Sequence, residues 1–389
     1  MVDEFGEEGY TDAAVPALSF GPEKVIAEAA MLAYAATGAT DSERVRSRVE
    51  GLVVRLVPVT RSARALAELS LQPSRAFKYA VPHVLLTRLG RPAPEPVEEC
   101  FQSACRRAAS LWSDLPTSAE LERDWITRLW GWNAAGRTSR GPFFGEPLDV
   151  LSDTREDTYA FTHQLFYLTD FGRSPRLALA RPVAELLADA EALVVRYLDA
   201  EDYDLVGELL MSWPELAMPW SPVSGFALRV LAHVEDQVGV LPCGNLDADR
   251  LNRLSRDEGR RYARAVGYHT AFVMGFLAAV TLRAGNPPVS RSAGVVPSGP
   301  NRSRAWAHIV QDQGHWQDVF AQVPDSEKAG LEPVLTRLAT AQRLRLHDYA
   351  GLAAVLNLQA ADGGLDPLGQ AASDRLSRVD SAMQASGRG

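Results

Sequence analysis

Cysteine is scarce in this chain of 389 residues. Cys100, Cys105 and Cys243 are its three cysteines, and they form no CxxC pair and no regular framework. A disulfide-built fold is excluded on that count, and a reducing cytoplasm is the expected setting. The opening MVDEFGEEGYTD is acidic and has neither the basic region nor the apolar run of a signal peptide. The longest apolar stretch, Ala271–Leu282, is about twelve residues, short for a bilayer crossing and suited to a buried helix, so no membrane partner is expected. Positive charge is also in deficit: 40 Lys and Arg stand against 49 Asp and Glu, a net charge of −9. That balance, without any long basic block, speaks against a nucleic-acid partner.

The chemical motifs are missing in the same way. There is no GxGxxG and no GKS/T loop to cradle a nucleotide's phosphates, and no GxSxG elbow to expose a nucleophilic serine. Neither HExxH nor the Glu-x-x-His pair of ferritin-like di-iron proteins occurs. Lysine is scarce beside arginine, and no lysine sits in a cofactor motif. A classical organic cofactor is therefore not expected, which leaves either no cofactor or a divalent metal ion.

What is present is helix. The composition is 46% hydrophobic and 23% charged, enough for a full core. Apolar positions recur at three and four residues almost throughout, and no alternating strand of useful length interrupts them. The pattern predicts helices over 22–37, 42–57, 61–71, 75–89, 95–113, 117–133, 155–171, 176–199, 203–212 and 222–238. It continues with 247–283 (broken near Gly267), 301–321, 327–342, 345–360 and 368–385. Several stop in the same manner, with Gly followed by Pro: LTRLGRP, LTDFGRSP, EDQVGVLP and LRAGNPP, and with two glycines in LQAADGGLDP. Glycine supplies the left-handed residue after a helix end, and proline keeps the helix from resuming. The expected fold is all-α, built of antiparallel helical hairpins in an α/α barrel or toroid. Residues 1–20 read as an irregular N-terminus, 21–133 as a helical portion and 155–385 as the hairpin portion. The segment 134–154, rich in Gly, Pro and Ser, lies between the last two. A second loop, 284–303, reads as a lid or a disordered segment.

Three helices carry polar groups among apolar neighbours. In REDTYAFTHQLFYLTDFG (155–172), Glu156, His163 and Asp170 recur at seven residues, close to two turns, and so share a face. In DYDLVGELLMSW (202–213), Asp204 and Glu208 are four apart and face the same way. In VGYHTAFVMGFLAAV (266–280), His269 opens an otherwise apolar helix. Convergence of these faces would make one cavity of Glu156, His163, Asp170, Asp204, Glu208 and His269. Two chemistries suit such a set. The carboxylates and imidazoles act as general acid and base, or His163, Asp204, Glu208 and His269 hold a borderline divalent metal. The structural alternative makes His163 a satisfied core histidine and Asp204 a helix-start carboxylate. Asp170 resists that reading, because the C-terminal end of a helix disfavours a carboxylate; Arg173, Arg176 or a ligand cation would account for it. A secondary set comprises His308, His315, Trp316, Asp318, His347, Asp348 and Asp362, and Trp130, Trp132, Trp213 and Trp220 lie near Pro- or Gly-rich turns.

TYAFTHQLFYLTDFG, DYDLVGELL and GYHTAF together resemble a family of bacterial all-helical proteins known as a domain of unknown function, some of whose members sit among natural-product genes. The resemblance covers roughly residues 20–285, and its matched positions are Thr162, His163, Asp170, Asp204, Glu208 and His269. The hairpin pattern and NLQAADGGLDP are more distantly similar to the α/α-toroid group of terpene cyclases, prenyltransferases and lanthionine cyclases. DxDD, DDxxD and the Cys/Cys/His zinc set of that group are all missing, so the likeness bears on fold and not on function. The expectation that results is a cytoplasmic enzyme of small-molecule, natural-product type metabolism. It would act on a largely apolar substrate by acid/base or metal-assisted chemistry, as a cyclase, isomerase or lyase does. The alternative is a non-catalytic helical scaffold that binds a peptide or carrier protein.

Overall fold

A computed structural model describes residues 22–386, apart from 73–74, 110–116, 133–147, 152–153, 175–178, 244–245, 288–303, 310–313 and 362. The expected irregular N-terminus, most of the 134–154 segment and the 284–303 loop lie outside the described residues. Among the described residues the chain is all-α. Its helices are α1 (Pro22–Ala36), α2 (Glu43–Thr60), α3 (Ala63–Leu71), α4 (Ala76–Arg88), α5 (Glu95–Ala109), α6 (Thr117–Trp130) and α7 (Arg155–Thr169). There follow α8 (Val183–Asp199), α9 (Tyr203–Leu210), α10 (Ser212–Glu215), α11 (Pro222–Val238), α12 (Ala248–Arg253) and α13 (Arg256–Ala284). The last are α14 (Arg304–Ala307), α15 (His315–Gln322), α16 (Asp325–Lys328), α17 (Glu332–Arg345), α18 (Tyr349–Ala361) and α19 (Pro367–Ser386).

The chain forms two compact units that interleave in sequence. The first comprises residues 1–141, 163–177 and 242–285; the second comprises 142–162, 178–241 and 286–389. In the first unit α1 packs against α2, α4 and α13. Its sequence explains that role: Ala29, Ala30, Ala33 and Ala35 are fully buried, and small side chains let neighbouring helices approach closely. A Cβ built on Gly275 of α13 would stand 2.8 Å from Leu32 Cδ1 of α1, so the glycine is part of that close contact. In the second unit α8 packs against α9, α11 and α17, burying Leu186, Leu193, Val194 and Leu198.

The helix-stop signals act as expected. Gly239 and Gly285 take φ of 81° and 62° after α11 and α13, the left-handed conformation that glycine adopts without steric cost. Three boundaries differ from the sequence pattern. The helix expected from 176 begins at Val183, because Pro182 lacks an N–H and restricts the residue before it. The helix expected over 301–321 is two separate pieces, α14 and α15. The break expected near Gly267 instead falls at Ser255. There the serine hydroxyl accepts from the Glu258 N–H, and the Glu258 carboxylate accepts from the Ser255 N–H, so a capping box starts a new helix. The result, α13, has 29 residues and runs through Gly267. By length and composition it is the one helix among the described residues that could cross a membrane, and half of its apolar window is buried inside the protein.

The first unit also encloses a complete polar network. His83 is fully buried and its ring stacks on Phe101, with centroids 3.9 Å apart and planes within 9°. Arg61 Nε donates to His83 Nδ1 at 3.4 Å, which leaves Nε2–H to donate to Glu98 Oε2 at 2.8 Å. Glu98 also accepts from Trp130 Nε1 at 2.7 Å and Gln102 Nε2 at 2.8 Å. Burial holds the His83 pKa below its ordinary 6.5. At Glu98 burial pushes the pKa up, but the hydrogen bonds from Trp130, Gln102 and His83 outweigh it and leave it below 4.5. Both groups therefore take up protons more readily in the unfolded chain, so stability is full above about pH 6.5 and falls as pH drops, first through His83 and then through Glu98. Urea melts from pH 8 to pH 4 are expected to show this loss begin near pH 6.5, and His83→Gln should flatten its upper limb.

Candidate active site

Asp202 starts α9 as its N-cap, accepting from the Leu205 N–H. From there the backbone stays helical through Met211 (φ −64°, ψ −21°) into α10. Pro214 is tolerated because it falls within the first turn of α10, and it accounts for the division of the run into two helices. At about 100° per residue, Glu208 lies about 40° around from Asp204, and Glu215, seven residues on, comes back within about 20° of Glu208. Three acids thus share one face of a nearly continuous helical run, and Ser212 lies on the same side, four residues after Glu208. The rest of the run is apolar: Leu205, Val206, Leu209, Leu210 and Trp213 are all buried.

This face is closed to solvent. Asp204, Glu208 and Glu215 are 4%, 1% and 0% exposed. The first part of α7 supplies two hydroxyls to it. Tyr159 Oη donates to Asp204 Oδ2 at 2.5 Å, and Thr162 Oγ1 donates to Glu208 Oε2 at 2.5 Å. Burial and the adjacent Asp204 and Glu208 charges push the Tyr159 phenol well above its usual range, so it remains a donor. Asp204 and Glu208 bring carboxylate oxygens within 4.8 Å of each other. Arg155, at the start of α7, marks the solvent end. Its guanidinium donates to Asp202 at 2.7 and 3.0 Å, lies 3.8 Å from Asp204, and covers the Tyr159 ring.

Glu215 is the deepest group. Neither of its oxygens meets a hydrogen-bond partner among the described residues, and the same is true of Ser212 Oγ. Burial, with the Glu208 charge as a second cause, raises the Glu215 pKa well above the ordinary carboxylate value.

The two candidate histidines fall in the first unit. His269 Nδ1 lies 2.9 Å from Glu28 Oε2 of α1, and Lys24 approaches the same carboxylate at 3.4 Å. His163 is half-buried beside Phe166 and Tyr167. Its neighbour across the unit is Glu122 of α6, whose carboxyl is pushed up by burial and drawn back by His163 and a Tyr167 hydrogen bond; Glu28 raises it further. Four helices, α1, α6, α7 and α13, thus contribute two carboxyls and two imidazoles to one electrostatic group.

Asp170 belongs to neither cluster. It lies just beyond α7 with φ of 52°, and its carboxylate accepts from Tyr34 Oη at 3.0 and 3.2 Å and from Trp125 Nε1 at 2.7 Å. The dipole conflict anticipated for Asp170 is met by these two neutral donors. Arg173 turns instead to the Tyr34 and Thr37 carbonyls, and Arg283 joins it on those of Ala35 and Thr37, so two arginines cap the C-terminal end of α1. Glu156 is exposed in the first turn of α7, where a carboxylate suits the helix start. In the secondary set, His315 Nδ1 lies 2.9 Å from both Tyr203 Oη and Glu201, Asp348 accepts from Arg343 and the Gly351 N–H, and Asp362 lies outside the described residues.

Sequence reasoning found Asp204, Glu208, His163 and His269 but passed over Glu215, Ser212, Glu28 and Glu122. Glu215 carried a usable signal: it is the acid in LLMSWPELAM, seven residues from Glu208, and it was hidden by ending the helix before Pro214.

The fold and its polar interior define an all-α protein with ionisable groups enclosed between helices. A family model described as "Domain of unknown function (DUF6895)" matches residues 11–279, and the chain belongs to that family. Asp204, Glu208, Glu215 and both histidines lie inside the matched span, whereas α14–α19 lie beyond it. No curated protein and no solved structure matches the chain.

Asp170 has a structural role that can be measured. Asp170→Ala strands the Tyr34 hydroxyl and the Trp125 indole N–H, and is expected to cost about 2–4 kcal/mol in urea unfolding. A loss near zero would show that the carboxylate does not anchor α1 and α6 to the end of α7.

Proposed function

We propose that the protein is an enzyme of small-molecule metabolism that moves protons on a largely apolar substrate, with the acidic face of α9–α10 as its acid/base machinery. The observation that carries this reading is Glu215: a carboxylic acid wholly removed from water, without a hydrogen-bond partner among the described residues, beside a second carboxyl group. Burying such a group costs on the order of 1–3 kcal/mol, which folding alone gives no reason to sustain. Adjacent carboxyl groups in different environments are the arrangement by which one residue keeps its proton while its neighbour accepts one.

In this reading Glu208, oriented by the Thr162 hydroxyl, takes a proton from a substrate carbon. The electron pair of the broken C–H bond shifts within the substrate, and Glu215 returns a proton at a second atom. The net change is an isomerisation that needs no oxidant or reductant. Asp204 and Tyr159 orient the substrate, and the burial of this face, whose three acids are at most 4% exposed, keeps water out. Cyclisation or elimination would use the same two proton transfers.

The test is turnover of a small-molecule extract by the purified chain, followed by mass spectrometry. The wild type is expected to deplete at least one metabolite and produce a counterpart of equal mass or of mass reduced by water. Glu208→Gln and Asp204→Asn should reduce that conversion by about 100-fold or more with the melting temperature preserved. Conversion that survives both substitutions would overturn the proposal.

A further inference from the structure

The stretch 250–264, RLNRLSRDEGRRYAR, holds six arginines and two acids, a charge of +4 in a chain of −9, which leaves −13 on everything else. It joins α12 to α13 in the first unit, and the two helices are fixed to each other. The Asp247 N–H donates to Tyr262 Oη at 3.0 Å, Arg250 covers the Tyr262 ring, and a Cβ built on Gly259 would stand 3.3 Å from Leu251 Cδ1. Arg253, Arg256, Arg260, Arg261 and Arg264 are all exposed on this support. Glu258 is occupied by its capping box with Ser255, and Arg253, Arg256 and Arg260 pair with no acid among the described residues. Arg256 also stands in the first turn of α13, where the helix dipole disfavours a cation, so local helix energetics do not account for it.

We propose that this outer edge of α12–α13 docks an acidic helix of a partner protein, whose carboxylates pair with Arg253, Arg256 and Arg260. Four residues of helix advance about 6 Å and turn about 40°, so Arg256, Arg260 and Arg264 follow one another at one-turn spacing along the edge. Acids repeated every fourth residue on an apposed helix have the same spacing. The guanidinium fork grips a carboxylate through two parallel hydrogen bonds, and complementary charge sets partner choice and encounter rate. A nucleic acid fits less well, because a long polyanion would also meet the −13 carried by the rest of the chain. A bilayer fits less well too: between Arg264 and Leu282 the exposed positions of α13 are Ala271, Ala278 and Leu282 itself, too little apolar surface to enter a membrane. The inference is independent of the α9–α10 site and goes beyond the reaction proposed there.

The test uses the full chain with a fluorescein-labelled, alanine-based helical peptide that carries glutamate at every fourth position. Its comparators are the same peptide with glutamine in place of glutamate, a short DNA duplex, and vesicles of phosphatidylcholine mixed with phosphatidylserine. Fluorescence anisotropy is expected to show the glutamate peptide bound and the glutamine peptide at least about tenfold weaker. Binding should weaken as sodium chloride rises from about 50 to about 200 mM. Arg256→Glu combined with Arg260→Glu should weaken the glutamate peptide at least about tenfold with the melting temperature unchanged. Arg44→Glu combined with Arg48→Glu alters net charge equally, at exposed arginines of α2, and should leave the affinity within about twofold. Four outcomes overturn the inference: no binding of the glutamate peptide at the lower salt, equal binding of the two peptides, equal losses from the two double variants, or tighter binding of DNA or vesicles than of the peptide. The comparison of peptides on the wild type does not depend on any variant's folding.

Discussion

A carboxylate leaves water only when something replaces the water, and in this protein the replacements are arginines, hydroxyls and ring N–H groups. Arg181, Arg337 and Arg345 hold acids in the second unit, and Arg75 holds buried Glu23 in the first. Such pairs add little net stability, because desolvation offsets most of the attraction, but removing one partner is expensive. They fix how α8, α17 and α19 register against one another. A buried acid with no hydrogen-bond partner on either oxygen is therefore an exception with meaning, and among the described residues Glu215 is that exception.

The exception is built from local sequence. Asp202 caps α9, acids follow at intervals of four and seven, and most of the intervening residues are leucine, valine, methionine and tryptophan. A helix of that composition is driven inward by its apolar side, and the acids go with it. Tyr159 and Thr162 on α7 then give Asp204 and Glu208 one hydroxyl each. These hydroxyls position the two carboxyl groups, with Arg155 3.8 Å from Asp204 at the solvent end.

Much of the fold is legible in the sequence because helices announce themselves locally. The span 222–238 is legible to the residue: Ser221 caps it and Gly239 ends it, and both signals lie beside the helix they bound. Boundaries fail where two prolines compete, as before α8, or where a capping box outranks a glycine, as at Ser255. The candidate site is half legible. Spacing alone puts Asp204 beside Glu208, whereas the acceptor role of Asp170 depends on Tyr34 and Trp125, 136 and 45 residues away, which no local pattern encodes. Glu28 and Glu122 escape for the same reason, since their significance comes from histidines on distant helices.

The central claim is that Glu215 is kept for function at the expense of stability, and its most direct test is the unfolding free energy of Glu215→Leu. Leucine is close to glutamate in volume and removes an enclosed polar group. The account predicts a variant as stable as the wild type or more so, by up to about 2 kcal/mol, because no partner is stranded by the change. A loss of about 2 kcal/mol or more would contradict it, since that would mean Glu215 holds the fold together as its arginine-paired neighbours do.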